Sequence, residues 1–204
     1  MTPPPRLPRL LDTLERGSLL LLYVWLVARI ITAPRSEFNA LLLISEGAVL
    51  VVTLCRRPTG DVSMRLGDWM LAIGATYLPL LVRPDSGPPL VPARHAVMLW
   101  VVGTVVQVWS KLALGRSFGC VPAHRGLKLG GPYRYVRHPM YLGYVLTHVA
   151  FLLMNPTPLN VALYLSCDAL LIPRILAEER HLGADPAYLG YQADVPWRLL
   201  PGVF

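Results

Sequence analysis

Charge is scarce in this chain. Only 15% of its 204 residues are Asp, Glu, Lys or Arg, while 54% are hydrophobic; ordinary soluble domains carry about 25% charged residues. The balance excludes a typical soluble globule and points to a polytopic membrane protein. Cysteine is rare too: Cys55, Cys120 and Cys167 lie far apart with no Cys-x-x-Cys pair, so neither a metal centre nor a disulfide framework is expected. Lysine is almost missing, with only Lys111 and Lys128 against many arginines, a bias that, with abundant proline, fits a GC-rich bacterial genome. No Gly-x-Gly-x-x-Gly joins a strand to a helix, so the dinucleotide-binding fingerprint is lacking. No internal repeat or paired Gly/Pro break is evident, which argues against a small transporter.

What is present is a series of apolar runs at 18–34, 38–55, 66–82, 93–114, 139–154 and 157–176. Breaks fall at Pro34, at Arg56-Arg57-Pro58, in the Pro/Gly-rich stretch from Arg83 to Pro92, across 115–138, and at Asn155-Pro156. The expected fold is all-α: a single integral membrane domain over 1–204, with five to six transmembrane helices and a cytoplasmic pocket. The first run lacks an Ala-x-Ala-like cleavage site and is expected to be a retained span.

Arginine and lysine collect before the first run (Arg6, Arg9, Arg16), between the second and third (Arg56, Arg57, Arg65) and from Lys111 to Arg137. Because positive loops stay inside, the N-terminus, the 115–138 segment and the C-terminus are expected on the cytoplasmic face, of a bacterial inner membrane on the compositional argument. The net charge of +7 is accounted for by this asymmetry and by contact with anionic lipid headgroups, so no nucleic acid is expected as a partner. Arg29 and Glu46 fall inside apolar runs at similar depth and are expected to form an ion pair between the first two helices.

Chemistry concentrates in Gly131-Pro132-Tyr133-Arg134-Tyr135-Val136-Arg137-His138-Pro139-Met140-Tyr141-Leu142-Gly143. Pro139 is a favoured first helical residue, so a helix should start there with unpaired N–H groups at its end. Gly143 would let a ligand or a neighbouring helix approach closely. The last apolar run turns polar at Arg174-Ile175-Leu176-Ala177-Glu178-Glu179-Arg180, placing Arg174 and Glu178 on one helix face. A tight turn at 155–158 should fold the two helices into a hairpin and bring His138–Gly143 near Glu178 and Glu179, making a mixed-charge pocket for a zwitterionic, partly aromatic ligand.

These residues resemble a family. Gly131-Pro132-Tyr133-Arg134, Arg137-His138-Pro139-Met140-Tyr141-Leu142-Gly143, Glu178-Glu179-x-x-Leu182, Tyr188-x-x-Tyr191 and Val195-Pro196-x-Arg198-x-x-Pro201 are similar, in order and spacing, to the isoprenylcysteine carboxyl methyltransferase and phospholipid methyltransferase group. The resemblance covers about residues 112 to 204. It implies an all-helical membrane enzyme that binds S-adenosylmethionine at the interface without a Rossmann sheet. By motif, His138, Tyr141 and the backbone from Pro139 and Leu142 through Gly143 would hold the adenosine part, Glu178 and Glu179 the ribose or amino group, and Arg134 or Arg137 the carboxylate, with Tyr133 also among the cofactor-binding residues. Arg137 and Glu178 are the implied catalytic residues.

The methyl acceptor is expected to be lipidic or small and apolar, and to arrive laterally from the bilayer. His124, His181 or a glutamate could act as base for a protonated acceptor. Arg116 and Arg125 are expected to meet lipid phosphates, Tyr135 and Tyr144 to sit in an aromatic belt, and Tyr188, Tyr191, Trp197 and Arg198 to dock the tail. The alternative is an NADPH-dependent membrane reductase of the sterol-reductase type, which shares a His-Pro-x-Tyr helix; the short chain, Met140 and the Glu178-Glu179 pair favour methyl transfer.

Overall fold

The computed structural model describes residues 6–32, 37–84 and 87–204. It consists of α1 (Arg6–Thr32), α2 (Glu37–Cys55), α3 (Leu66–Tyr77), α4 (Ala93–Leu114), α5 (Pro139–Met154), α6 (Pro158–Leu182) and α7 (Pro186–Asp194), with short 3-10 turns at Leu78–Leu81, Gly115–Ser117 and Gly131–Arg134. No strand occurs among the described residues; Val62 and Ala123 form an isolated bridge. The expected all-helical class holds.

Segments Ala93–Ser117 and Pro158–Leu182 are long and apolar enough to cross a bilayer, while Leu43–Cys55, Leu66–Leu81 and Pro139–Met154 are shorter apolar helices. Large apolar side chains face outward around the molecule: Leu21, Val51, Met70, Met98, Leu112 and Leu165 are all more than half exposed. Such a surface suits hydrocarbon rather than water.

The helix ends follow their sequences. Pro139 and Pro158 take the first turn of α5 and α6, where a missing N–H costs nothing. Thr157 caps α6 by accepting from the N–H of Asn160 at 3.2 Å. The first helix starts at Arg6, well before its apolar run, because its buried acids are paired. Asp12 meets Arg56 at 2.6 Å and Arg16 at 2.9 Å, and Glu15 meets Arg56 at 2.8 Å.

The closest helix pair is α4 with α5. A Cβ on Gly143 would stand 2.6 Å from Gln107 Cγ and 2.9 Å from the Gly103 carbonyl oxygen, so glycine is what lets the two backbones meet. Gln107 Nε2 donates to the Gly143 carbonyl at 3.1 Å and to Thr147 Oγ1 at 3.0 Å. Lys111, fully buried at the end of α4, donates to the Ser45 carbonyl at 3.1 Å and to Gln107 Oε1 at 3.2 Å, tying α2 to the same pair.

The expected Arg29–Glu46 pair does not form. Arg29 instead donates to the carbonyls of Leu80 (2.7 Å) and Val82 (3.0 Å). The 3-10 turn at Leu78–Leu81 ends at Val82 in extended conformation, so carbonyls there lack helical partners and take the guanidinium.

Candidate active site

The segment 115–138 crosses the ends of the helices and is pinned from several sides. The Arg57 N–H donates to the Arg116 carbonyl at 2.8 Å and the Ser63 N–H to the Pro122 carbonyl at 2.9 Å. Cys120 gives its N–H to Glu15 Oε1 at 2.8 Å, and its carbonyl accepts from Arg174 Nη2 at 2.7 Å. Arg125 is buried and pairs with Asp12 at 3.2 Å. Gly131, at φ +63°, carries the chain onto the 3-10 turn against Trp109 and Ala113, a conformation that L side chains rarely adopt.

The C-terminal tail then closes over the start of α5. Arg137 and His138 give their N–H groups to the carbonyls of Trp197 and Arg198 at 2.9 and 2.8 Å. Glu179 is the hub of this closure: its carboxylate accepts from Arg137 Nε at 2.7 Å and Arg198 Nε at 2.9 Å, and lies 3.2 Å from His138 Nε2. Arg137 also donates to the carbonyls of Val195 and Pro196 at 2.8 and 2.9 Å.

Neighbouring residues on a helix point about 100° apart, and Glu178 accordingly faces elsewhere. It accepts from the Tyr141 hydroxyl and lies 3.5 Å from Arg174 Nε and 3.7 Å from His138 Nδ1. The Arg174 guanidinium sits over the Tyr141 ring, 5.2 Å from its centroid, and the His138 and Tyr141 rings stack at 5.6 Å.

Two cavities flank this group. The smaller, about 120 Å³, lies under the 117–129 segment and is lined by Arg125, Tyr133, Arg137, His138, Tyr141 and Glu178. The larger, about 390 Å³, runs between the helices and is lined by apolar groups such as Leu19, Val49 and Leu171, with the polar Glu46, Gln107 and His148 also in its wall. Met140 lines both. Arg174 borders the larger and Tyr141 the smaller, so their ring–cation contact forms part of the wall between them.

Burial, and then the charge of Glu178, pushes the Tyr133 phenol well above its ordinary range, so it remains a proton donor at neutral pH. Burial and the Glu15 charge push the Cys120 thiol up to about 12, which makes it a packing group rather than a nucleophile.

Five of the residues expected at the site, Tyr133, Arg137, His138, Tyr141 and Glu178, line the smaller cavity. Glu179 stands behind it as the hub. Arg134 is exposed and does not line the cavity, because the 3-10 turn that buries Tyr133 points the next side chain outward. Pro139 and Leu142 do not line it either, and Gly143 faces α4.

His124 Nε2 is bound to Asp185 Oδ2 at 2.9 Å and His181 Nε2 to Asp61 Oδ1 at 3.1 Å; neither histidine lines a cavity. Arg116 is exposed, while Arg125 is buried at the site rather than set toward lipid. Tyr135 is 62% exposed, as a belt residue should be, but Tyr144 lines the larger cavity. Tyr188 and Tyr191 line the smaller one, and Tyr191 donates to the Tyr133 carbonyl at 2.6 Å. Sequence reasoning missed Arg174 as part of the wall, although its spacing to Glu178 was a signal; for Arg125 there was none.

Residues 93–184, which include α4, α5, α6 and most of the lining segment, match the model of the isoprenylcysteine carboxyl methyltransferase family. The fold is similar to a solved eukaryotic intramembrane Ras methyltransferase, isoprenylcysteine carboxyl methyltransferase, determined without a monobody. That likeness has a TM-score of 0.54 at 18% identity and covers 92% of this chain and 74% of that one. The family match spans the central part of the chain, and the likeness to the solved structure is one of fold. No curated protein matches the chain by sequence. Within the family segment fall His138, Tyr141, Arg174, Glu178 and Glu179, whereas Glu15, Arg56 and the tail from Pro186 onward lie outside it.

Proposed function

We propose that this chain is an S-adenosylmethionine-dependent membrane methyltransferase acting on a lipidic acceptor. The observation that carries this reading is the meeting of two unlike cavities at one wall. One is lined by charged and aromatic groups near the helix ends, the other runs between apolar helices, and Met140 borders both.

S-adenosylmethionine, when bound, supplies a methyl group on a positively charged sulfur, open to in-line displacement. The donor set of the smaller cavity fits such a molecule. Glu178 offers a carboxylate to an ammonium or ribose, and the His138 and Tyr141 rings offer flat faces to a purine. Arg125, which lines the cavity, has a buried Nε without a partner, and in our reading it takes the place of Arg134 as the group for the methionine carboxylate.

The remaining residues position and exclude. Arg137 is held by Glu179 and two tail carbonyls, so we assign it the closing of the site rather than contact with the reacting atoms. Arg174, whose Nε has no hydrogen bond, stands on the acceptor side of the wall as the cation for an anionic acceptor head, with Glu178 and the Tyr141 ring fixing its direction. A carboxylate or thiolate acceptor needs no dedicated base. The tail and the 117–129 segment keep water from the wall.

We also propose that α1 to α6 are six spans of a single integral domain, with both termini and the 115–138 segment on the cytoplasmic side. The arginine asymmetry supports this orientation.

The test is calorimetric titration of the purified protein in detergent with S-adenosylhomocysteine, with NADPH in parallel. Saturable binding of the first alone is expected. Binding of NADPH alone would move the chain to the reductases, and binding of neither would remove the enzyme reading.

A further inference from the structure

The larger cavity is not apolar along its whole length. Part-way down it, α5 presents His148, which lines the cavity and is 6% exposed. Its Nδ1 lies 2.6 Å from Asp168 Oδ1, and its ring stacks on Tyr164 with centroids 4.2 Å apart. A carboxylate has no proton to give, so Nδ1 is the donor of this bond and, in the neutral ring, Nε2 is left to accept. No partner for Nε2 is found among the described residues.

From α4, Thr104 borders the same cavity, 5% exposed, with an Oγ1 that has no hydrogen-bond partner. The two groups share a depth. Gln107 bonds to Gly143 and Trp100 packs on Phe151, so in this antiparallel register Thr104 stands within about one helical turn of His148. Buried polar groups are normally paired, and two unpaired ones facing one cavity at one level ask for a ligand group there.

We propose that the acceptor is a lipid bearing a hydroxyl or amine along its chain, which donates to His148 Nε2 and meets the Thr104 hydroxyl. This rests on the reading that the larger cavity holds the acceptor. Tyr141 marks the wall, and α5 rises about 10 Å from there to His148, so the donor group lies about 10 Å along the lipid from the atom that receives the methyl. A plain hydrocarbon chain would leave both protein groups unpaired, which is a penalty that a binding site converts into selectivity.

His148, Cys167 and Asp168 also present ligand atoms within 4.8 Å of one another, as a metal centre would. Their bonding favours the lipid. Nδ1 is already taken by Asp168, and the Cys167 thiol donates to the Ala75 carbonyl at 3.5 Å, a bond that a metal-binding thiolate could not make.

The experiment compares two lipids by calorimetry on the full chain in detergent: a long-chain thiol carrying a hydroxyl about 10 Å from sulfur, and the same thiol without it. The hydroxylated lipid is expected to bind about tenfold tighter to the unaltered protein. His148→Phe, which keeps a ring against Tyr164, should bring the ratio near one, as should Thr104→Val in part, with S-adenosylhomocysteine affinity unchanged. In Asp168→Asn the amide can donate to Nδ1 and reverse the tautomer, so a methyl ether in place of the hydroxyl should then bind better than it does to the unaltered protein.

Equal affinity for the two thiols, or a ratio that survives His148→Phe, would overturn the proposal. So would stoichiometric zinc in the purified protein that Cys167→Ala removes. Intact lipid preference without any S-adenosylhomocysteine binding would instead overturn the methyltransferase reading and leave the polar subsite standing.

Discussion

Glu15 and Arg174, from helices at opposite ends of the chain, hold the two backbone polar groups of Cys120: its N–H reaches Glu15 Oε1 at 2.8 Å and its carbonyl receives Arg174 Nη2 at 2.7 Å. One residue of the lining segment thereby couples a buried charge network outside the family segment to the wall between the cavities. Arg174 keeps its place in that wall only while Cys120 stays where it is.

Glu15→Ala should therefore act twice. It leaves the fully buried Arg56 with Asp12 alone and frees the Cys120 N–H. A loss of about 3 kcal/mol is expected from the broken buried pair, seen as an earlier thermal transition in detergent. Glu15→Gln keeps an acceptor for Cys120 and should lose less.

Glu179→Ala removes the acceptor shared by Arg137, His138 and Arg198. The tail should leave the start of α5, and limited proteolysis should cut after Val195 in the variant sooner than in the unaltered chain. S-adenosylhomocysteine affinity is expected to fall more than tenfold, since the smaller cavity loses its closure.

Tyr141→Phe deletes the hydroxyl that donates to Glu178 while keeping the ring beneath Arg174. Calorimetry should show a modest loss of S-adenosylhomocysteine binding, about 1 kcal/mol as for one hydrogen bond. Tyr141→Ala, which also removes the wall, should abolish it. Equal effects of the two substitutions would sink the wall assignment.

Gly143→Ala tests packing against ligand contact. The added Cβ would meet Gln107 Cγ at 2.6 Å and backbone atoms of α4 at 2.9 Å, an overpacking expected to lower stability by about 1–3 kcal/mol. The folded fraction should bind S-adenosylhomocysteine with unchanged affinity, because Gly143 faces the neighbouring helix.

How far the site was legible can be read from particular residues. The Pro139 helix start, the 155–158 hairpin and the approach of His138 and Tyr141 to Glu178 all follow from local rules: proline at a first turn, a short connection, and periodicity along one helix face. Arg174 was visible as the partner four residues before Glu178, but not as a wall. Arg134 lies outside the smaller cavity because the 3-10 turn that buries Tyr133 rotates the next side chain by about 120°, and a motif string does not state whether Arg134 or Arg137 turns inward.

Composition and the order of apolar runs by themselves determined that the chain is all-helical and suited to a membrane, and the motif spacing determined which end carries the polar site. Both depend on hydrophobicity and local backbone preference, which neighbouring residues set. Only the tertiary structure decided that Arg29 bonds to carbonyls near Val82 instead of Glu46, that Arg125 is buried in the lining of the smaller cavity, that Glu15 and Arg174 meet at Cys120, and that His148 and Thr104 face one cavity at one depth. Those facts depend on distance between residues far apart in the chain, and a buried charge or hydroxyl takes whichever partner the packing brings within about 3 Å.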